Sequence, residues 1–230
     1  ITTVVPTGKN SPGEKLDVLT HSLGGAVTAT WLALHYDPKD QAYPPIGKVV
    51  MFAPPLAGTQ LADGGATLDS SKNGKQIHDL LNEQFGDEAI PPSNSIGITQ
   101  LQENGELETL LKNKGAMKKV NVSIIRSAAD PVVTTGSGSI TGASETIITT
   151  NNFNPATIHT TITTDTKALA VAQDVLLGMK PPCLSPAQAV QSAALSASVH
   201  GAEVTVGHSL KSTTDIYGEE ILGFIKVATN

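Results

Sequence analysis

Apolar residues along this chain gather into short runs of strand length, separated by stretches with helical spacing, and that alternation predicts an α/β fold. Leu16 to Leu19 reads as a short buried strand. Val27, Trp31 and Leu34, with small residues between them, follow at helical spacing until Asp37-Pro38 stops the helix. Lys48 to Ala53 is a continuous apolar run closed by Pro54-Pro55, the pattern of a buried parallel strand. Val120 to Arg126 predicts a third strand, and Glu145 to Thr150, rich in threonine and isoleucine, a fourth. Lys167 to Leu177 carries Leu169, Val171, Val175 and Leu176 at helical spacing, with Asp165 as its N-cap and Gly178 and Pro181-Pro182 as its stop. Strands alternating with helices imply a mostly parallel sheet flanked by helices.

Two segments fit this rhythm less well. From Leu56 to Lys119 the pattern is mixed, with a glycine turn at Gly64-Gly65 and helical patches at Ile77 to Phe85 and Leu107 to Leu111; it reads as an insertion above the sheet, a natural place for a lid. Beyond Pro181 come a weak alanine- and serine-rich helix at Ala187 to Val199, a strand candidate at Glu203 to Val206 and a helix or strand at Glu219 to Val227. The expected organisation is a single α/β domain over 1–230, with a core over about 15–180, the insertion over about 56–119 and an extra segment over about 181–230.

The most informative local feature is KLDVLTHSLGG, Lys15 to Gly25, where the strand breaks at Ser22 and two glycines open the helix. A serine at such a strand-to-helix corner is the shape of a nucleophile elbow, with small neighbours letting strand and helix approach closely. The G-x-S-x-G pattern is met except at Thr20, which stands where the first glycine usually is.

A hydroxyl is a poor nucleophile at neutral pH, so Ser22 needs an imidazole to take its proton and a carboxylate to orient that imidazole. Asp130 and His159 are the natural candidates: each falls just beyond a predicted strand end, and the carboxyl ends of parallel strands share one edge of the sheet. The chain order Ser, Asp, His is that of α/β-hydrolases. His208, before a plausible terminal element, is the competing base; Asp165 is better read as a helix cap and Asp130 also suits a turn before Pro131. His21, beside Ser22, is expected to turn its ring away from the nucleophile's partner, either packed in the core or supporting the site from behind, and His35 and His78 to be surface or core residues of helical patches. Gly207 to Lys211 mimics the elbow but places lysine where a small residue is needed.

Composition narrows the field. A net charge of −6 without any Lys/Arg cluster argues against a nucleic-acid groove or an anionic membrane surface. The lone Cys183 excludes an internal disulfide and a cysteine-based zinc site, and is expected to be a small semi-buried hydrophobe. No run approaches the roughly 18 to 20 apolar residues that span a bilayer. The chain opens at Ile1 without a basic or apolar leader pattern, so a processed product or a piece of a longer chain is expected, secreted or exported.

THSLGGAV resembles the elbow of lipases and esterases of the α/β-hydrolase superfamily. VVMFAPPLAGTQLAD is similar to the strand and loop that follow in bacterial triacylglycerol lipases and related acyl hydrolases, with Pro55, Gly58, Thr59, Ala62 and Asp63 fitting that pattern. SIIRSAADPVV resembles the family's acid-bearing strand and turn, which supports Asp130, and the likeness runs over Lys15 to Leu177. Family members normally carry several strands before the elbow and a loop, often marked His-Gly, that donates half of the oxyanion hole. Too few residues precede the strand here for those elements, so the resemblance implies that they lie outside this chain or that the donor comes from elsewhere.

The resemblance implies a carboxylic ester hydrolase of lipase or esterase type: Ser22 as nucleophile, His159 as base, Asp130 orienting His159, and the Leu23 N–H in the oxyanion hole. The expected substrate is a small-molecule or lipid ester, met at a lipid–water interface in the lipase case. No cofactor is required. Some bacterial lipases hold calcium through an aspartate just after the catalytic histidine; Thr160 and Thr161 follow His159, so no metal is expected. A non-catalytic hydrolase-like binding scaffold, and an acyltransferase or thioesterase using the same triad, are the alternatives.

Overall fold

The computed structural model describes residues 15–40, 43–59, 99–102, 104–130, 132–134, 140–149, 157–181 and 185–199, with 62, 75, 76, 79 and 201 singly. The helical patch expected at Ile77 to Phe85, the elements expected at Glu203 to Val206 and Glu219 to Val227, and residues Asp63, His78, Cys183 and His208 lie outside the described residues or nearly so.

Among the described residues four strands, β1 (Leu16–His21), β2 (Ile46–Phe52), β3 (Asn121–Ser127) and β4 (Ser144–Ile148), pair in chain order β1-β2-β3-β4. Every pairing is parallel, with Leu19 opposite Val50 and Met51 opposite Ile124 in the central registers. The fold is therefore α/β, a parallel sheet flanked by helices. The two inner strands are nearly continuous apolar runs because both of their faces are covered.

Side chains alternate across the sheet and feed two cores. Val49, Met51, Val122 and Ile124 pack on one face against α1 (Leu23–Leu34) and α2 (Glu106–Lys114). Val50, Phe52 and Ile125 pack on the other, against α4 (Thr166–Leu177), which follows the short helix α3 (Ile158–Thr161). Full burial of a side chain of this size contributes about 1.5–3 kcal/mol. α2 presents Leu107 and Leu111 to the α1-side core, and Met117 just after it is also buried there, so this stretch of the region expected above the sheet forms part of the flanking layer.

The face of α1 that meets the sheet is made of small residues, Gly25, Ala26, Ala29 and Ala33 around Leu32. Val27 is 61% exposed and Leu34 50%, so the larger side chains that mark the helical periodicity lie on its outer side. Close approach explains the inversion: a Cβ on Gly25 would come 2.5 Å from Pro54 Cβ, and only small residues permit that spacing. The helix ends at Leu34, short of Asp37-Pro38, where Lys119 Nζ donates to the carbonyls of Leu32, Ala33 and Tyr36. α4 has the caps its sequence announces. Asp165 accepts from the N–H groups of Lys167 and Ala168, and Gly178 closes the helix at φ 76°. Residues 186–199 are helical, and Ser196 Oγ from this helix donates to the Ala128 carbonyl beyond β3.

Candidate active site

Because all four strands run the same way, the segments leaving their carboxyl ends share one edge of the sheet, and three candidate residues meet there. Ser22 follows β1 directly, Asp130 lies three residues beyond β3, and His159 sits on α3 beyond β4.

Ser22 occupies φ 51°, ψ −129°, a conformation a serine adopts only under constraint, at a cost on the order of 1–3 kcal/mol. Two backbone bonds impose it: the Ser22 N–H donates to the Phe52 carbonyl at 2.9 Å, and the Gly25 N–H donates to the Ser22 carbonyl at 2.8 Å. The neighbouring strand turns in a similar way, with Ala53 at φ 44° and its N–H donating to the Ile125 carbonyl. Thr20, in the position usually held by glycine, is buried, and its Oγ1 has no hydrogen-bond partner among the described residues.

Asp130 is 1% exposed. One carboxylate oxygen, Oδ1, accepts from the N–H groups of Val132 (2.8 Å) and Val133 (3.1 Å), which fixes the plane of the group and leaves Oδ2 for His159 Nδ1 at 2.8 Å. On the other side of the ring, His159 Nε2 lies 2.7 Å from Ser22 Oγ. An ionised carboxylate only accepts, so Nδ1 carries a proton toward Asp130 and unprotonated Nε2 accepts from the serine hydroxyl. The tautomer is thereby the one a general base requires.

Leu23 opens α1, so its N–H belongs to a helical first turn whose donors lack intrahelical acceptors and whose dipole favours negative charge. Its side chain is exposed, as are Leu19 and Val27. An apolar hollow of 360 Å³ runs along the outer side of α1 between Leu23, Trp31, His35 and Leu107, reaching the elbow at Leu23.

Three supporting residues were not singled out for these roles by the sequence. Thr59 Oγ1 donates to the Val132 carbonyl, tying the loop after β2 to the turn that carries Asp130. Arg126 on β3 is fully buried, pairs with Glu145 on β4 and donates to the Thr134 carbonyl at 3.2 Å, which closes that turn from the other side. Burial lowers its pKa to about 10, against an opposing pull from Asp130 that favours the charged form. His21 is a correction. Its ring does not turn away from His159: Nε2–H donates to the His159 carbonyl at 2.8 Å, and the two rings lie 5.0 Å apart at 41°. The sharp turn at Ser22 lets consecutive residues reach the same neighbour, one at its imidazole and the other at its backbone.

Of the remaining candidates, Asp165 caps α4 and His35 is exposed at the end of α1. Among the described residues no cluster of three or more His, Cys, Asp or Glu side chains is arranged to hold a metal, and no helix is long and apolar enough to cross a membrane.

No family model matches the chain, and no curated protein matches it. Among solved structures it is similar to phospholipase PlaB from Legionella pneumophila, at 18% identity and TM-score 0.34, covering 50% of this chain and 23% of that one. A lipase-esterase related protein from Clostridium acetobutylicum is similar at 14% identity and TM-score 0.34, with 70% of this chain and 65% of that one covered. A hydrolase from Pseudomonas aeruginosa shows 19% identity and TM-score 0.35 over 71% and 65%. The chain thus spans less than two thirds of each of these proteins.

Proposed function

We propose that this chain is a serine hydrolase of carboxylic esters, of lipase or esterase type within the α/β-hydrolase superfamily, with Ser22, His159 and Asp130 as its catalytic triad. The observation that carries the reading is the unbroken relay from Ser22 Oγ through both ring nitrogens of His159 to Asp130 Oδ2, at 2.7 and 2.8 Å, mounted on a strained strand-to-helix corner. A serine serving only as a turn residue has no use for either feature.

In the first half-reaction Ser22 Oγ attacks the ester carbonyl carbon as its proton passes to His159 Nε2, and the carbonyl π pair moves onto oxygen. Asp130 stabilises the imidazolium formed, and the Leu23 N–H donates to the oxyanion. Collapse expels the alkoxide, which takes the proton from Nε2 and leaves as the alcohol. A water then attacks the acyl-Ser22 carbonyl, giving its proton to Nε2; the second collapse releases the acid and returns that proton to Oγ. No cofactor enters either half.

Leu23, next to the nucleophile, is exposed, and the hollow that reaches it is lined by Val27, Trp31 and Leu107, which favours an ester with an apolar acyl group. Hydrolysis of p-nitrophenyl acyl esters of graded chain length tests the reading. Turnover is expected in the parent and a loss on the order of 10⁴-fold in Asp130→Asn. Turnover unchanged in Ser22→Ala refutes the assignment.

A further inference from the structure

The base of the relay stands on weak local footing. α3 is four residues long, far below the length at which a helix holds itself together, so the aim of the His159 ring must be set by contacts from elsewhere in the chain. Asp130, its own plane fixed by the Val132 and Val133 N–H groups, grips the ring at Nδ1, but a ring held at one end can still travel if its backbone moves. The backbone has its own tether. His21 Nε2–H donates to the His159 carbonyl at 2.8 Å across 138 residues of sequence. A carbonyl only accepts, so the proton on His21 must sit at Nε2.

His21 is the last residue of β1 and the immediate neighbour of Ser22, whose N–H is anchored to the Phe52 carbonyl. One rigid strand end therefore carries the nucleophile and also grips the backbone of its base. The geometry points to His21 as a positioning residue that holds His159 at attack distance from Ser22; the assignment rests on the triad reading above. The tether acts on the reaction because a misplacement of about 1 Å between reacting groups can cost about 100-fold in rate.

Three variants separate positioning from packing. His21→Phe keeps an aromatic ring and removes the donor, His21→Gln keeps an N–H donor on a different frame, and His21→Ala removes both. With p-nitrophenyl esters, His21→Phe is expected to lower kcat about 10- to 100-fold at unchanged KM, and His21→Gln to recover most of the loss. A second readout needs no turnover: the downfield proton resonance of His159 Nδ1–H, bonded to Asp130, is expected to broaden or shift in His21→Phe and to return in His21→Gln. The proposal is overturned if that resonance is the same in the parent and in His21→Phe. It is equally overturned if kcat falls only in step with the melting temperature and His21→Gln gives no rescue. A parent that turns over no ester, yet loses its His159 resonance in His21→Phe, refutes the esterase reading and leaves the tether standing.

Discussion

Gly25 lies so close to Pro54 that a Cβ at the glycine would sit 2.5 Å from the proline Cβ, a distance real side chains do not tolerate. The atom in the way belongs to a rigid ring, so α1 itself must move away from the end of β2. Gly25→Ala is therefore expected to destabilise the fold by about 1–3 kcal/mol, the usual cost of overpacking, and to lower activity by pulling Ser22 from His159. Gly24→Ala is the control: its nearest atom is Thr20 Cβ at 3.8 Å, ordinary contact, and alanine gains up to about 1 kcal/mol in a helix. Urea unfolding of the two variants should move the midpoint in opposite directions.

Thr20 buries a hydroxyl without a partner among the described residues. Replacing it with the near-isosteric valine removes that desolvation cost and keeps the volume. Thr20→Val is expected to match the parent in stability or exceed it by about 1 kcal/mol, read from the denaturation midpoint.

Lys119 closes α1 by donating to three carbonyls, at 2.7 Å to Leu32, 3.2 Å to Ala33 and 2.9 Å to Tyr36. Lys119→Met keeps the stem and removes the donors, which should cost about 1–2 kcal/mol through unsatisfied carbonyls and the uncompensated helix dipole. Lys119 lies at the far end of α1 from Ser22, so kcat/KM should stay within about twofold of the parent, since the relay distances are untouched.

Arg126 is buried completely, and its charge is matched by Glu145 and by the nearby Asp130. Breaking such a pair from one side leaves a buried charge uncompensated, so Glu145→Gln should destabilise by about 3 kcal/mol, whereas Arg126→Met/Glu145→Gln should cost less than the two single changes together. A double-mutant cycle in urea measures the coupling. Arg126→Met should also loosen the 130–134 turn, which it braces through the Thr134 carbonyl, and lower kcat more than it changes KM.

Much of this architecture is legible from one sequence, for local reasons. Val49 to Phe52 are apolar without interruption, and Val122 to Ile125 are apolar except at Ser123, because both faces of an inner parallel strand are covered. Asp165 and Gly178 announce the ends of α4 because capping depends on residues one or two positions away. The elbow shows itself through glycines that its turn and close packing demand.

What stayed hidden depends on contacts distant in sequence. The outward placement of Val27 and Leu34 follows from the closeness of α1 to Pro54, which hydrophobic periodicity does not encode. The ties from Thr59 to Val132, from Arg126 to Thr134 and Glu145, and from His21 to His159 join different loops and strands, and the sequence names the partner of none of them.

The central claim is that Ser22 is a nucleophile activated by His159. Its most direct test is mass spectrometry of the chain after reaction with a fluorophosphonate, which forms a stable phosphoryl bond only with an activated serine. The expected result is one adduct per chain on the peptide containing Ser22, absent in Ser22→Ala and slowed at least about 100-fold in His159→Ala. An intact chain that takes up no phosphonate, or labelling elsewhere that persists in Ser22→Ala, contradicts it.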